Sequence, residues 1–380
     1  MNQKKVDFRL PTLRLVTMSL ILTFGEIMGR LCPEGHKRFI QTLPGKLELT
    51  FAGAEANVAA SLAILGAPAG FISALPNNVL GDACLQTLRG LGVDTSRVVR
   101  TSQGRLGLYF VEKGANQRPS QVTYDRDHSA IALAEPGSFN WKTLLKGGSW
   151  LHVSGITPAL SEAAFESTRD AVRAARSLGI RVSCDLNFRN KLWQWEEEAS
   201  ARDLARRCMA DILPSVDVVI ANEEDASDVL GIEAGASDVH SGALDIDRYP
   251  EVARAIVRQF PNVSQVAITL RESLSASHNN WGAMLYTAGT EEAHFAPEKD
   301  DRYQPYEIRQ IIDRVGGGDS FAAGLIFALN TPGLDDSANA IRFAVAASCL
   351  AHSIEGDFNF SSRAEVEKLA GGNASGRVVR

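Results

Sequence analysis

The sequence predicts an α/β protein with a mostly parallel sheet, and three observations carry that prediction. Short apolar, β-rich runs (WLHV at 150–153, RVSCD at 181–185, VDVVIA at 216–221, VAITL at 266–270) alternate with stretches of helical pattern. Most of these runs are nearly continuously apolar, as strands covered on both faces are. Ala-rich segments at 321–329 and 337–353 close the domain as helices whose small side chains allow tight packing.

Taken in order, SLILTF at 19–24 ends at Gly25 and reads as the first buried strand. The chain is polar and Gly/Pro-marked from 31 to 50, with a strand at 47–51. EANVAASLAIL at 55–65 is a helix stopped by Gly66. A strand at 70–75 and a helix at 82–91, ending at Gly92, follow. Strands at 108–112 and 121–124, joined through KGANQRPS, form a hairpin-like excursion. A helix at 162–178 and a strand at 283–286 complete the alternation.

Lys4, Lys5, Arg9 and Arg14 precede the apolar run at 16–24, which superficially resembles a secretory signal. The run is too short for a membrane span, which needs ~20 apolar residues. No small-residue cleavage site follows, so residues 1–18 read as a leader, with Met18 an alternative start. The net charge of −6 argues against general nucleic-acid binding, so an anionic ligand needs a local cluster of Arg or Lys. Five scattered cysteines without a CxxC read as reduced thiols of a cytoplasmic protein. His128, His152, His278 and His352 show no metal-ligand spacing and receive no role.

The strongest local pattern is DRVGGGDSFAAG at 313–324. Glycine amides at a helix start converge on one small volume, where the helix dipole favours an anion. Asp319 immediately after them would repel that anion, which makes sense if it removes a proton from a hydroxyl attacking phosphorus. A helix-capping Asp behind a plain glycine loop is the competing reading. No dinucleotide fingerprint and no G-x-x-x-x-G-K-[ST] occurs. DLNFR at 185–189 follows a core strand, where ligands of parallel sheets collect, and Arg189 can clamp a carboxylate or phosphate or form a surface salt bridge. Asn222, Glu223, Glu224 and Asp225 follow VDVVIA in the same way; they offer oxygens toward Mg²⁺, or an ordinary helix start. Gly53 and Asn57 can approach a polyhydroxylated ligand or simply cap a helix. Tyr109, Tyr124 and Arg126 can grip an acidic sugar, or belong to a plain strand pair.

With these residues in view, the chain from about 24 to 369 resembles the ribokinase-like (PfkB) carbohydrate kinases. The ordered motifs are GAEAN, DLNFR, NEE and GGGD before an Ala-rich helix. FGEIMGRL, FAGAEANVA, GLYFVEKGANQRPSQVTYDR and GDFN at 356–359 are most similar to 2-keto-3-deoxygluconate kinases. The resemblance implies a three-layer kinase domain at 19–370, a small β lid from about 28–50 and 101–126, a tail at 371–380, and a homodimer formed through the lid. It implies Asp319 as catalytic base and Gly316, Gly317 and Gly318 as the anion hole. Gly53, Asn57, Tyr109, Tyr124, Arg126 and Arg189 would contact a small sugar acid. Asn222, Glu224 and Asp225 would organise Mg²⁺–ATP, and Asp313 would help hold a monovalent cation such as K⁺. A kinase for fructose or another neutral sugar, and a catalytically silent sugar-binding regulator, are the alternatives. Three positions depart from the family pattern: Gly317 for alanine, Asp225 for glutamate, and RESLSASHNNWGA at 271–283 in place of a compact glycine loop, where no residue is assigned.

Overall fold

The computed structural model describes residues 18–222, 224–232, 246–300 and 302–373. The expected leader, apart from Met18, and the last seven residues of the expected tail lie outside them. Strands β1 (Leu20–Phe24), β2 (Met28–Cys32), β3 (Glu48–Ala52), β4 (Ala69–Pro76), β5 (Val98–Thr101), β6 (Gly107–Glu112), β7 (Gln121–Asp125) and β8 (Gly148–Ser154) come first. They are followed by β9 (Arg181–Asp185), β10 (Val218–Ala221), β11 (Gln265–Ser275), β12 (His278–Thr287), β13 (Glu292–Ala296), β14 (Glu298–Lys299), β15 (Arg302–Tyr303) and β16 (Tyr306–Ile308).

Among the described residues, ten strands form the main sheet, in the order β13-β12-β11-β10-β9-β8-β1-β4-β5 with β16 beside β12. Every pairing from β11 to β5 is parallel; β12, β13 and β16 are antiparallel additions. The chain runs outward from β1 to β4 and β5, then returns to β8 and continues the other way. Strand order therefore reverses between β1 and β8, and the crevice outside the carboxyl ends there is where such sheets bind ligands.

Successive side chains of each strand enter opposite layers. Leu22, Phe24, Leu151, Val153 and Val219 face one core; Ile21, Trp150, Val218 and Ile220 face the other. In the first, Phe24 meets Phe139 and Trp141 edge-on at 5.3 and 4.9 Å, so truncating it would cost about 3–5 kcal/mol. In the second, the helices Gly317–Leu329 and Ser337–Ala351 approach closely because Gly324 faces Ala344; a Cβ there would lie 2.9 Å from Ala344 Cα. This three-layer core agrees with the fold expected from the strand pattern. Among the described residues, no helix is long and apolar enough to cross a membrane.

A second sheet, β3-β2-β6-β7, stands over the carboxyl ends. β6 alternates, with Tyr109 and Val111 buried and Leu108 and Phe110 half-buried. The segment at 271–282 differs from expectation. Its residues lengthen the strands read at 266–270 and 283–286 into one antiparallel hairpin, paired out to Ser275 opposite His278. RESLS contains no glycine or proline to break an extended backbone. The hairpin tip reaches the small sheet's loop, where Ala276 N–H donates to Asn116 O (2.7 Å) and Asn116 N–H to Ser277 Oγ (3.0 Å).

Candidate active site

Between the strand ends and the small sheet lies a cavity of about 450 Å³. One wall of it is the glycine turn. Gly316 takes φ +85°, and a Cβ there would sit 2.2 Å from Asp357 O, so both conformation and space require glycine. Its carbonyl accepts from Ser320 N–H at 2.8 Å, and Gly317 N–H reaches Arg314 O only at 3.4 Å. Among the described residues, the amides of Gly316, Gly318 and Asp319 have no backbone acceptor, the usual condition of a helix's first turn. Three N–H groups at the positive end of a 13-residue helix thus form a ready anion site.

Asp319 lines this cavity, and its Oδ2 accepts from Asn57 Nδ2 at 2.7 Å. Asn57 is itself held by Gly53 N–H, which donates to its Oδ1 at 3.1 Å. Burial pushes the Asp319 carboxyl up to about 7; the Asn57 bond and Arg189 pull it down, while Asp357 and Glu55 add to the rise. A carboxyl near neutrality is well matched to taking a proton at physiological pH. The helix carrying Asn57 is locked by Glu55. Its Oε1 accepts from Ser154 Oγ (2.7 Å) and Thr157 Oγ1 (3.0 Å), and its carboxylate fills the space beside Gly25.

The strand ends supply further carboxylates. Asp185 terminates β9, and burial, then Asp225 and Asp319, hold its carboxyl well above the usual range. Asp225 is also raised, mainly by burial, although it accepts from Asn222 N–H (3.1 Å) and Phe188 N–H (3.0 Å). Asn222 Oδ1 reciprocates by accepting from Glu224 N–H (2.8 Å) and Asp225 N–H (3.0 Å). Asn222 and Asp225 therefore both line the cavity and lock the turn that leads into the next helix. Glu224 is exposed and does not line the cavity. Glu223 lies outside the described residues. Arg189 is exposed on the loop after Asn187, itself at φ +35°, and lowers the proton affinity of all three aspartates. Among the described residues no group of three or more His, Cys, Asp or Glu side chains is arranged to hold a metal.

The small sheet provides Tyr109, Tyr124 and Arg126, whose guanidinium lies 5.4 Å from the Tyr124 ring centroid. Arg126 Nη2 pairs with Glu26 Oε2, both side chains being buried. Arg126 Nε and Glu26 Oε1 are left without hydrogen-bond partners. Tyr109 OH donates to Asp357 Oδ2 at 2.7 Å. Asp313 is the second expectation that the cavity leaves out. It is buried behind the glycine turn because Arg30 and main-chain amides claim its carboxylate.

The fold thus brings Gly53, Asn57, Tyr109, Tyr124, Arg126, Arg189, Asn222, Asp225, Gly316, Gly317, Gly318 and Asp319 to one cavity. Sequence reasoning placed Asp185 at a ligand-facing strand end without giving it a role, and missed Glu26, Glu55, Arg271, Arg314 and His352 on the walls. Asp185 stood in the DLNFR motif and Glu26 directly after the first strand's glycine, so strand-end position was the available signal. His352, given no role from spacing, lies against Gly317, where a Cβ would be 3.0 Å from its Cε1.

An α/β sheet with a glycine-lined anion site, an adjacent carboxylate and arginines across one cavity defines a phosphotransferase layout. Residues 18–362 match the pfkB family carbohydrate kinases, and the chain belongs to that family as a sugar kinase. It is 44% identical, with a TM-score of 0.83, to the crystal structure of 2-dehydro-3-deoxygluconokinase from Thermotoga maritima, over 93% of this chain and 99% of that one. It is 30% identical to 2-dehydro-3-deoxygalactonokinase of Haloferax volcanii over 93% of this chain and 98% of that protein. It is 27% identical to fructokinase of Klebsiella pneumoniae over 87% and 91% respectively.

Proposed function

We propose that this kinase phosphorylates the primary hydroxyl of a six-carbon 2-keto-3-deoxy sugar acid, 2-keto-3-deoxygluconate first, using ATP. The observation that carries the reading is Asp319, held by Asn57 beside free helix-start amides with a carboxyl near neutrality. Asp319 accepts the hydroxyl proton as the sugar oxygen bonds to the γ-phosphorus, and the bond from that phosphorus to the β–γ bridging oxygen breaks to release ADP. The free amides of Gly316 and Gly318, with that of Gly317 once it leaves its long bond to Arg314 O, stabilise the phosphoryl oxygens. Gly53, Asn57, Tyr109 and Tyr124 orient the sugar. Arg126 and Arg189 are the carboxylate partners, because an arginine fork matches a carboxylate in geometry as well as charge.

Mg²⁺ fits the strand-end side: Asp185 and Asp225 carry carboxyls whose ionised forms are disfavoured by burial, and Asp225 further disfavours that of Asp185. These two would hold it, directly or through water, with Asn222 beside them; when bound it supplies positive charge to the phosphate oxygens. The 2-keto-3-deoxygalactonate epimer is a second reading, favoured by the near full-length match to the Haloferax volcanii enzyme. Ile40, Leu43 and Leu49, exposed on the small sheet and its connection, support a homodimer through this lid.

An ADP-release assay with both keto-deoxy acids, gluconate, fructose and ribose tests the substrate assignment. Preference for a 2-keto-3-deoxy acid is expected. Preference for fructose would replace the reading with a neutral-sugar kinase, and no sugar-dependent ADP would leave only a binding protein.

A further inference from the structure

Asp313 is where the family resemblance implies a monovalent cation, and its surroundings do not fit one. Oδ1 accepts from Arg314 N–H (2.9 Å) and Val315 N–H (3.2 Å). Oδ2 accepts from Arg30 Nη2 (2.5 Å) and Gly356 N–H (3.3 Å). A carboxylate offers about four lone-pair sites, so this one is filled. Asp357 is bonded by the same guanidinium, Arg30 Nη1 at 2.5 Å, and by Tyr109 OH at 2.7 Å. The side chains of Arg30, Asp313 and Asp357 are 2, 2 and 4% exposed, so water screens little of their charge. A free cation at Asp313 would stand against a guanidinium already bonded to its Oδ2.

The two aspartates bracket the glycine turn. Asp313 stands three residues before Gly316, and the main-chain carbonyl of Asp357 presses on Gly316 itself. Arg30 reaches both from β2 of the small sheet. We propose that the Arg30 guanidinium is this kinase's built-in cation: it fixes the two segments that shape the phosphate site, and turnover needs no added monovalent cation. Arg30 is a positioning residue, acting through Asp313 and Asp357 on the amides. The inference rests on the reading of residues 316–318 as the phosphate cradle.

The test compares the full chain in potassium, sodium and tetramethylammonium chloride at one ionic strength. Steady-state kinetics are measured with the best sugar, and melting temperature without nucleotide. The expected kcat/KM agrees across the salts within about twofold, a difference of well under 1 kcal/mol in barrier. Melting should not rise selectively with potassium, as it would if a native-state site bound it. Activation by potassium of about tenfold or more, or a potassium-specific rise in melting, would overturn the proposal. In Arg30→Lys a single ammonium cannot fork to both carboxylates. Its kcat should fall about tenfold with the sugar KM little changed. An undiminished kcat in that variant would likewise refute it, and if the variant does not fold the salt series decides alone. Absence of sugar-dependent turnover would instead strike the kinase reading, while the melting series still reads the cation site.

Discussion

On the small-sheet side of the cavity the buried charges are paired: Arg30 with Asp313 and Asp357, and Arg126 with Glu26. On the strand-end side Asp185, Asp225 and Asp319 crowd together around Arg189, and all three carboxyls are pushed upward. The first side ties Asp313, Asp357 and Glu26 each to a guanidinium, with Arg30 shared between two of them and Asp357 also pushed upward by burial. The other is short of positive charge, and a magnesium-bearing nucleotide would supply it. Under the proposed function, the contrast puts sugar recognition at Arg126 and catalysis at a carboxylate held in its ionised form only weakly.

Removing the carboxylate at the centre of the deficient side is the most damaging way to break this contrast. Asp319→Asn should lower kcat by about a hundredfold or more, the range of a positioned base, while calorimetry finds sugar and nucleotide still bound. Near-normal turnover would make the two sides equivalent. Removing a guanidinium from the paired side should act on binding. Arg126→Ala is expected to raise the KM of an acidic sugar by about tenfold or more, and of fructose far less. Equal losses on both sugars would mean that Arg126 serves only to neutralise Glu26, which truncation leaves buried without its partner.

The smallest effect sharpens the contrast in the apo protein. Asp319 holds its proton in the folded state up to about pH 7, against about 3.9 in an unfolded chain. Its contribution to stability is therefore fully present below the unfolded value and is lost as pH rises through 7. Asp319→Asn cannot ionise, so its melting temperature relative to wild type should increase between pH 5 and pH 8. A constant difference across that span would show that Asp319 is not destabilised by its site.

Much of the scaffold was legible because its causes are local. VDVVIA and RVSCD announce buried parallel strands by composition, and GGGD before an Ala-rich run announces a helix start. The partners of the site were not legible, because they lie far apart in the chain. Asn57 and Asp319 are 262 residues apart, and Arg30 and Asp357 are separated by 327. Nothing near Asp313 says that an arginine from the small sheet will fill its carboxylate. The place of Glu224 off the cavity wall was hidden for a related reason: an acid in a first helical turn reads the same whether it faces a ligand or solvent. The 271–282 hairpin was hidden because pairing with β12, rather than local propensity, extends the strand.

The pH dependence of the phosphoryl-transfer step in single-turnover experiments, in wild type and Asp319→Asn, tests Asp319 as the base most directly. The wild-type rate should fall about tenfold for each pH unit below an ionisation at or under 7, and the variant's residual rate should lack that acid limb. An acid limb that persists unchanged in the variant would assign the proton transfer to another group.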